Sequence, residues 1–499
     1  MNAVTAREFA DLQTGTKRSD AEIEPATYYG IARAQKDFND GKQGIGFMST
    51  YTQRFFKDER LRDEINSDAF VFGLDGWTFL DSSKTYVVTG WTALSRIAGN
   101  TARMLSLQQS SAHYFQRPDA PYVSVDPTAT SLTGYAGRFM INKQKGPMNL
   151  NAAIGFVNPK FNSNDLGFMW RNDIINGHVA TGYRWTDATD YYRFLSFAVS
   201  YFSTYDFGGN RTWQGYWMNT NIDLLNYYSF WGSYAYNPTT INNRKTRGGP
   251  LVTSPRGWEV DLGGNSDSRK PVVVNAFGYT YQGGGGNNWY SEINVEWKPA
   301  PNMSLTVGPG FSKDHTEAQW VGVFDDPAAS ATYGHRYVFA YFNGTQVAAN
   351  IRLNWIFTPK LSLQLFAQPL ISSGEYVDFK ELAKPNSYQF LRYGDNGSTL
   401  TPQKDPDGTV TGYLADPDGP GPAAPISFSN PNFNYKSLRG NAVLRWEYRP
   451  GSTLYLVWTQ SRSDHENNGN FQFNQSMERL WGAKPDNIFM MKFSYWWSM

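Results

Sequence analysis

The 499-residue sequence contains no cysteine. That absence excludes disulfide staples, thiolate metal sites and thiol catalysis together. Nor is there a surplus of charge: 45 Lys+Arg against 44 Asp+Glu leave a formal net charge of +1. The basic excess of a nucleic-acid binder is therefore missing, and no nucleic acid is expected as a partner. No apolar run reaches the 18 residues or so that a transmembrane helix needs, and helical heptads are absent. The opening residues, MNAVTAREFADLQTGTKRSD, lack the apolar stretch of a signal peptide.

What the sequence does have is rings. It carries 33 Phe, 31 Tyr and 17 Trp, yet its mean hydropathy is −0.53. The aromatics are interleaved with Asn, Ser, Thr, Gln and Arg. A membrane-spanning strand needs that mixture: one face meets lipid, the other a wet interior, and rings mark both interfaces.

Period-two alternation carries the fold prediction. Val347, Ala349, Ile351, Leu353 and Trp355 share one face, against Gln346, Ala348, Asn350, Arg352 and Asn354 on the other. After the tight turn Thr358-Pro359-Lys360, Leu361, Leu363, Leu365 and Ala367 oppose Ser362, Gln364, Phe366 and Gln368. Ile293, Val295 and Trp297 oppose Glu292, Asn294 and Glu296, and Pro299-Ala300-Pro301 leads to Met303, Leu305 and Val307. The pattern recurs over residues 438–449, where Ala442, Leu444 and Trp446 oppose Val443, Arg445 and Glu447, before Pro450-Gly451 turns the chain. Asn343-Gly344 has the composition of a hairpin turn. The chain ends in an amphipathic segment, with Met491, Phe493, Tyr495 and Trp497 alternating with Lys492, Ser494 and Trp496. Such a final strand is what barrel-assembly machinery is expected to read.

These patterns predict one all-β domain over 1–499: a transmembrane antiparallel β-barrel of about 20–24 strands in the outer membrane of a Gram-negative bacterium. Turn length adds orientation. If Pro450-Gly451 and Thr358-Pro359-Lys360 are periplasmic, the stretch 372–433, with its Pro/Gly/Asp-rich part 395–430, is external, as are 240–257 and 462–486.

Candidate chemistry is sparse, and the sequence assigns neither a catalytic residue nor a metal ligand. His113, His178, His315, His335 and His465 form no HxH or HExxH pattern and read as interior or loop residues. Asp405-Pro406-Asp407-Gly408 and Asp416-Pro417-Asp418-Gly419 are spaced for calcium or for turns; proline and the absence of EF-hand spacing favour turns. Gly283 to Gly286 lack the Lys-Ser/Thr of a phosphate loop and read as a hairpin tip. Glu292 and Glu296 allow acid/base work or an ordinary charged interior. Trp258, Trp289 and Tyr290 are read as loop aromatics, fit either to stack on sugars or to form an interface girdle. No cofactor is implied.

Four segments resemble a known family. FNSNDLGF (161–168), TRGGPLVTSPRGW (246–258), FTPKLSLQLFAQPLISSGEYVDFKEL (357–382) and FNYKSLRGNAVLRWEYRPGSTLYLVWTQ (433–460) are similar to the C-terminal β-barrel of the domain of unknown function 5916 family. Full-length relatives carry an N-terminal sandwich resembling a family-nine carbohydrate-binding domain. In that family an element like MNAVTARE lies inside the protein, so the resemblance implies a truncated chain without leader, sandwich and part of the first strand. It establishes no catalytic set. The expectation is a barrel, bounded by outer-membrane lipid, that anchors such a sandwich or passes and binds oligosaccharide. The alternatives are a membrane-associated glycan hydrolase, which requires two carboxylates roughly 5–9.5 Å apart, and a soluble β-rich adhesin.

Overall fold

The computed structural model describes residues 1–497. Its main element is a 21-stranded antiparallel sheet, twenty strands of which follow one another as a meander. These are β1 (Asn2–Thr5), β2 (Ala26–Phe38), β3 (Gln43–Phe55), β4 (Asp68–Phe79), β5 (Tyr86–Ala98), β6 (Ser131–Lys143), β7 (Met148–Val157), β8 (Ile174–Trp185), β9 (Tyr192–Tyr205), β10 (Arg211–Leu224), β11 (Ser229–Asn237), β12 (Gly257–Asn265), β13 (Val272–Gly283), β14 (Gly286–Ala300), β15 (Met303–Asp325), β16 (His335–Thr358), β17 (Leu361–Leu382), β18 (Phe433–Arg449), β19 (Ser452–Glu466) and β20 (Asp486–Ser494). The remaining strand, Phe390–Arg392, extends the end of β17. The strand count falls within the expected range.

Register converts the alternation into two faces. Val272, Trp297, Leu305, Leu353, Leu365, Ala442, Trp458 and Phe489 pair in sequence from β13 to β20. One step along, Glu296, Thr306 and Arg352 form the corresponding polar row. The apolar face is solvent-accessible and ringed at two levels. Tyr201, Tyr216, Tyr236 and Trp258 pair across β9–β12 at one level; Tyr183, Trp297, Trp355 and Trp446 lie at the other, each more than a third exposed. On β14 the two levels are marked by Trp289 and Trp297, eight residues or roughly 26 Å apart.

All turns at one end are short, such as 301–302, 359–360 and 450–451. The other end carries the segments 6–25, 56–67, 99–130, 158–173, 238–256, 326–334, 383–432 and 467–485. The two predicted turns lie at the first end and the three predicted long segments at the second, although residues 372–382 still belong to β17 and 433 opens β18. The loops are less irregular than their composition implies. They contain α1 (Arg60–Glu64), α2 (Thr101–Gln109) and α3 (Phe473–Gly482), a hairpin over Glu8–Thr14 and Lys17–Glu24, and a three-stranded sheet of Thr399–Lys404, Val410–Asp416 and Ile426–Ser429. That last sheet forms because Ala415 and Ile426 pack on Val338, Phe379 and Tyr393.

The Asn343-Gly344 turn expectation is corrected. Both residues lie inside β16, opposite His315 and Asp314 on one side and Glu375 and Gly374 on the other. Glycine is there for room: a Cβ on Gly344 would come within 2.8 Å of the Phe342 ring.

Contacts between the loops show that the sheet curves around its polar face. Asp119, after β5, accepts from Leu251 N at 2.8 Å and from the Tyr333 hydroxyl at 2.5 Å. Tyr333 follows β15, ten strands further on. Flat strands spaced about 4.8 Å would separate them by about 48 Å. At the sheet's edges, β1 pairs with Thr27–Gly30 of β2 and β20 pairs with β19. Ala32–Phe38 has no partner on its β1 side among the described residues.

Candidate functional site

Strands β2–β8 place a row of side chains on the polar face. Gly46, Asp75, Trp91, Arg138, Gly155 and Asn176 are successive register partners. The two glycines make room for long side chains. A Cβ on Gly46 would meet the Arg33 guanidinium at 3.0 Å, and one on Gly155 would meet Asn176 Oδ1 at 2.9 Å. Arg33 therefore lies flat and donates to both carboxylate oxygens of Asp75, one bond measuring 2.8 Å. Arg138 donates to Asn176 Oδ1 at 3.4 Å and reaches His178 Nδ1 at 3.3 Å. Trp77 rests against Gly44, its indole N–H donating to Gly41 O at 3.3 Å. Trp91 is 41% exposed.

Two adjoining cavities run along this wall. The first, about 570 Å³, lies between Arg33, Met48, Asp75 and Trp91 and the loop residues Ser163, Leu166 and Gly167. The second, about 490 Å³, shares Asp75 and Trp91 and continues past Trp77, Arg138 and Gln144 towards the turn end. Together they form a groove with two indoles and fixed planar polar groups. Such a surface suits a hydroxyl-rich ring, whose C–H face stacks on an indole while its hydroxyls meet carboxylate and guanidinium. Both Asp75 oxygens accept from Arg33.

The loop roofing the groove is clamped. Asp165 takes a bond from Arg54 at 2.5 Å and from Asn66 at 2.9 Å. Asp173, in the left-handed region at φ 59°, accepts from Arg117 at 2.6 Å, Tyr122 at 2.7 Å and Phe207 N at 3.0 Å. His113 is buried between Pro159 O (2.8 Å) and Asn162 (3.2 Å), and burial pushes its pKa down to about 4. Beneath them Met104, Leu107 and Phe115 of the 99–130 loop pack on Ala69, Ile97 and Leu132 of the sheet.

The residues singled out in the sequence fall elsewhere. Glu292 and Glu296 both face the polar side of β14, four residues or roughly 13 Å apart along the strand. Glu292 accepts from Tyr290 and Asn294, and Glu296 pairs with Lys298 at 3.3 Å; they form no converging acid pair. Trp258, Trp289 and Tyr290 are strand residues rather than loop residues, which corrects their placement. Trp258 and Trp289 lie on the apolar face and Tyr290 on the polar one. His178, His315, His335 and His465 are dispersed over four strands. Asp405 accepts from the backbone of Asp407 and Thr409, and Asp416 from that of Gly419, as turn residues do. Gly283 and Gly286 flank the hairpin between β13 and β14. The groove residues escaped notice because β5 is mixed on both faces: Val87, Thr89, Trp91, Ala93 alternate with Val88, Gly90, Thr92, Leu94. Only pairing with Asp75 and Arg138 fixes the direction of Trp91.

The family model for "Domain of unknown function (DUF5916)" matches residues 1–498, and the chain belongs to that family. No curated protein matches it. Among solved structures, the siderophore receptor PirA from Acinetobacter baumannii is similar over 91% of this chain and 73% of its own, with 10% identity and a TM-score of 0.42. The outer membrane transporter YddB from Escherichia coli is similar over 88% and 64%, with 9% identity and a TM-score of 0.40. The FrpB iron transporter from Neisseria meningitidis is similar over 87% and 74%, with 9% identity and a TM-score of 0.39.

Proposed function

We propose that this member of the family is an outer-membrane β-barrel whose wet interior binds and passes oligosaccharide, with its long loops external. The reading rests above all on the Asp119 contacts, which bring loops ten strands apart together over the polar face. A sheet so curved encloses that face and leaves the ringed apolar face to lipid. Backbone groups in lipid must be paired, each unpaired one costing several kcal/mol, which favours closure of the sheet between β2 and β20. The apolar surface of β20, with Phe489, Met491 and Phe493 exposed, is the element we assign to recognition by assembly machinery. The groove at Trp77 and Trp91 supplies the sugar-binding surface.

Gel mobility with and without boiling tests the barrel, and single-channel conductance in planar bilayers tests the passage. Heat-modifiable mobility with a steady conductance that maltooligosaccharides block is the expected result. Trp91→Ala should weaken that block about five- to tenfold through loss of stacking. A heat-stable folded species without conductance would mean a filled barrel serving as an anchor. A chain that stays soluble without detergent and shows no heat shift would overturn the membrane reading.

A further inference from the structure

The shortest connection at the loop end joins β13 to β14 through Gly284 and Gly285 alone. Lacking side chains, this tip folds back on the chain just before β12. Gly284 N donates to Arg256 O at 3.1 Å, and a Cβ on Gly284 would come within 2.9 Å of Pro255 Cβ. A cavity of about 650 Å³ opens beside the tip, lined by Tyr236, Trp258, Gln282 and Asn287 and, at its loop-end edge, by Pro255 and Arg256. Register fixes which side of the sheet it occupies. Tyr236, Trp258, Gln282 and Asn287 are successive partners across β11–β14. Two positions nearer the turn end, Tyr234, Val260, Thr280, Trp289 and Lys313 form the next row of the same face. Both rows belong to the apolar face, at the ring level nearer the loops. The cavity is therefore on the outside of the wall, at the depth where ring girdles meet lipid head groups.

The lining changes character along its length. Tyr236 and Trp258 supply rings, Gln282 and Asn287 supply amides, and Arg256 supplies one cation. Arg256 is exposed and forms no ion pair among the described residues. The acids on adjoining strands are engaged elsewhere. Glu259 accepts from Asn237 at 3.2 Å and from Tyr279 at 2.8 Å on the polar face, and Glu317 faces His315 at 3.8 Å. Gln282 spends one N–H on Thr280 Oγ1 at 3.1 Å; the Asn287 amide is exposed. Towards the turn end the same face continues as exposed Leu262 and Trp289. Polar and cationic groups thus stand on the loop side of the cavity and apolar ones on the membrane side.

We propose that this cavity holds the head group of a phosphate-bearing lipid from the leaflet next to the loops. The Arg256 guanidinium presents paired donors to the phosphate. The Gln282 and Asn287 amides meet its ester and hydroxyl oxygens, and the acyl chains run over Leu262 and Trp289. Charge complementarity selects this occupant. An anionic amphiphile satisfies the cation and the apolar flank together, whereas an uncharged lipid leaves the guanidinium without a partner. The inference rests on the barrel reading above, which leaves this face to lipid. It is independent of the Trp91 groove, which lies on the opposite face.

The test is native mass spectrometry of the detergent-solubilised full chain, with diphosphoryl lipid A, uncharged dioleoylglycerol and inorganic phosphate as probes. One lipid A is expected to stay bound where dioleoylglycerol does not, and Arg256→Gln should weaken its retention about tenfold. Arg256→Lys should keep most of the affinity. Lys313→Gln removes an exposed cation from the same face three strands away and should leave retention unchanged; an equal loss in both glutamine variants would mean diffuse surface charge and overturn the site. Equal retention of dioleoylglycerol, displacement of lipid A by inorganic phosphate, or undiminished binding in Arg256→Gln would overturn it as well. Heat-modifiable mobility checks that every variant is folded. A parent with a heat shift that retains no lipid A sinks this site alone, whereas a parent without a heat shift sinks the barrel reading and the site with it.

Discussion

The two ends of the sheet are built on different principles. At the turn end the chain only has to reverse: Asp81 accepts from Thr85 and Tyr86 N, and Gly451 adopts φ 75° at the β18–β19 turn. No hydrophobic core cluster forms there among the described residues. At the loop end the chain builds a second layer with its own cores, around Met104 and Phe115 and around Phe379 and Tyr393, and with buried ion pairs. Reversal is a local task, solved by backbone conformation. Roofing the polar face is a non-local one, requiring apolar area and charge pairs contributed by segments distant in the chain, up to the 111 residues between Arg54 and Asp165. The two ends should therefore respond to perturbation separately.

The largest separation is expected from Asp173→Asn. Asparagine keeps the left-handed backbone but leaves Arg117 buried without its anion, a cost of about 3–5 kcal/mol. Limited proteolysis should open the 99–130 and 158–173 loops while the boiled and unboiled gel bands stay as distinct as in the parent. Loss of the heat shift would break the comparison and make the molecule one cooperative unit. Met104→Ala removes a fully buried side chain and should cost the roof about 2–5 kcal/mol, read as a lower temperature for loop proteolysis. If melting of the strands falls equally, the roof and the wall are one layer.

A pH titration sharpens the same contrast. Folded His113 titrates near pH 4, whereas unfolded histidine titrates near 6.5. Between those values the unfolded loop binds the extra proton, so stability falls as pH drops from about 6.5 to about 4, by up to about 3 kcal/mol in all, and levels off below. Amide exchange in residues 99–130 should accelerate over that window, and His113→Gln should flatten the dependence. An unchanged pH profile in the variant would assign the effect to another group. The smallest effect is expected at the turn end. Gly451→Ala places a side chain at positive φ, 2.9 Å from Trp496 Cβ, and should cost about 1 kcal/mol with no change in loop proteolysis.

Legibility in the sequence follows the same division. The β16–β17 alternation and the turns at Pro359-Lys360 and Pro450-Gly451 depend on residues within a few positions of one another. Asn343-Gly344 misled because a glycine required by the neighbouring Phe342 ring has the same composition as one required by a turn. The helix over Thr101–Gln109 has Asn100 as its cap, accepting from Arg103 N at 2.9 Å, but its apolar residues are too few to show a period. Asp173 with Arg117, and Trp91 with Asp75 and Arg138, become neighbours only through register and loop packing. Nothing local in the sequence marks them.

The lengths of the strands have a further consequence. β15, β16 and β17 run 23, 24 and 22 residues, while β2 to β14 run from 9 to 15. The surplus lies at the loop end and amounts to roughly 30 Å of wall, backed by the three-stranded sheet at 399–429. The rim is therefore a parapet on one side and a low sill on the other. If the sheet closes with its loops external, as proposed above, anything as large as an antibody would meet the parapet before the sill, and size alone would then sort what reaches the roofed side.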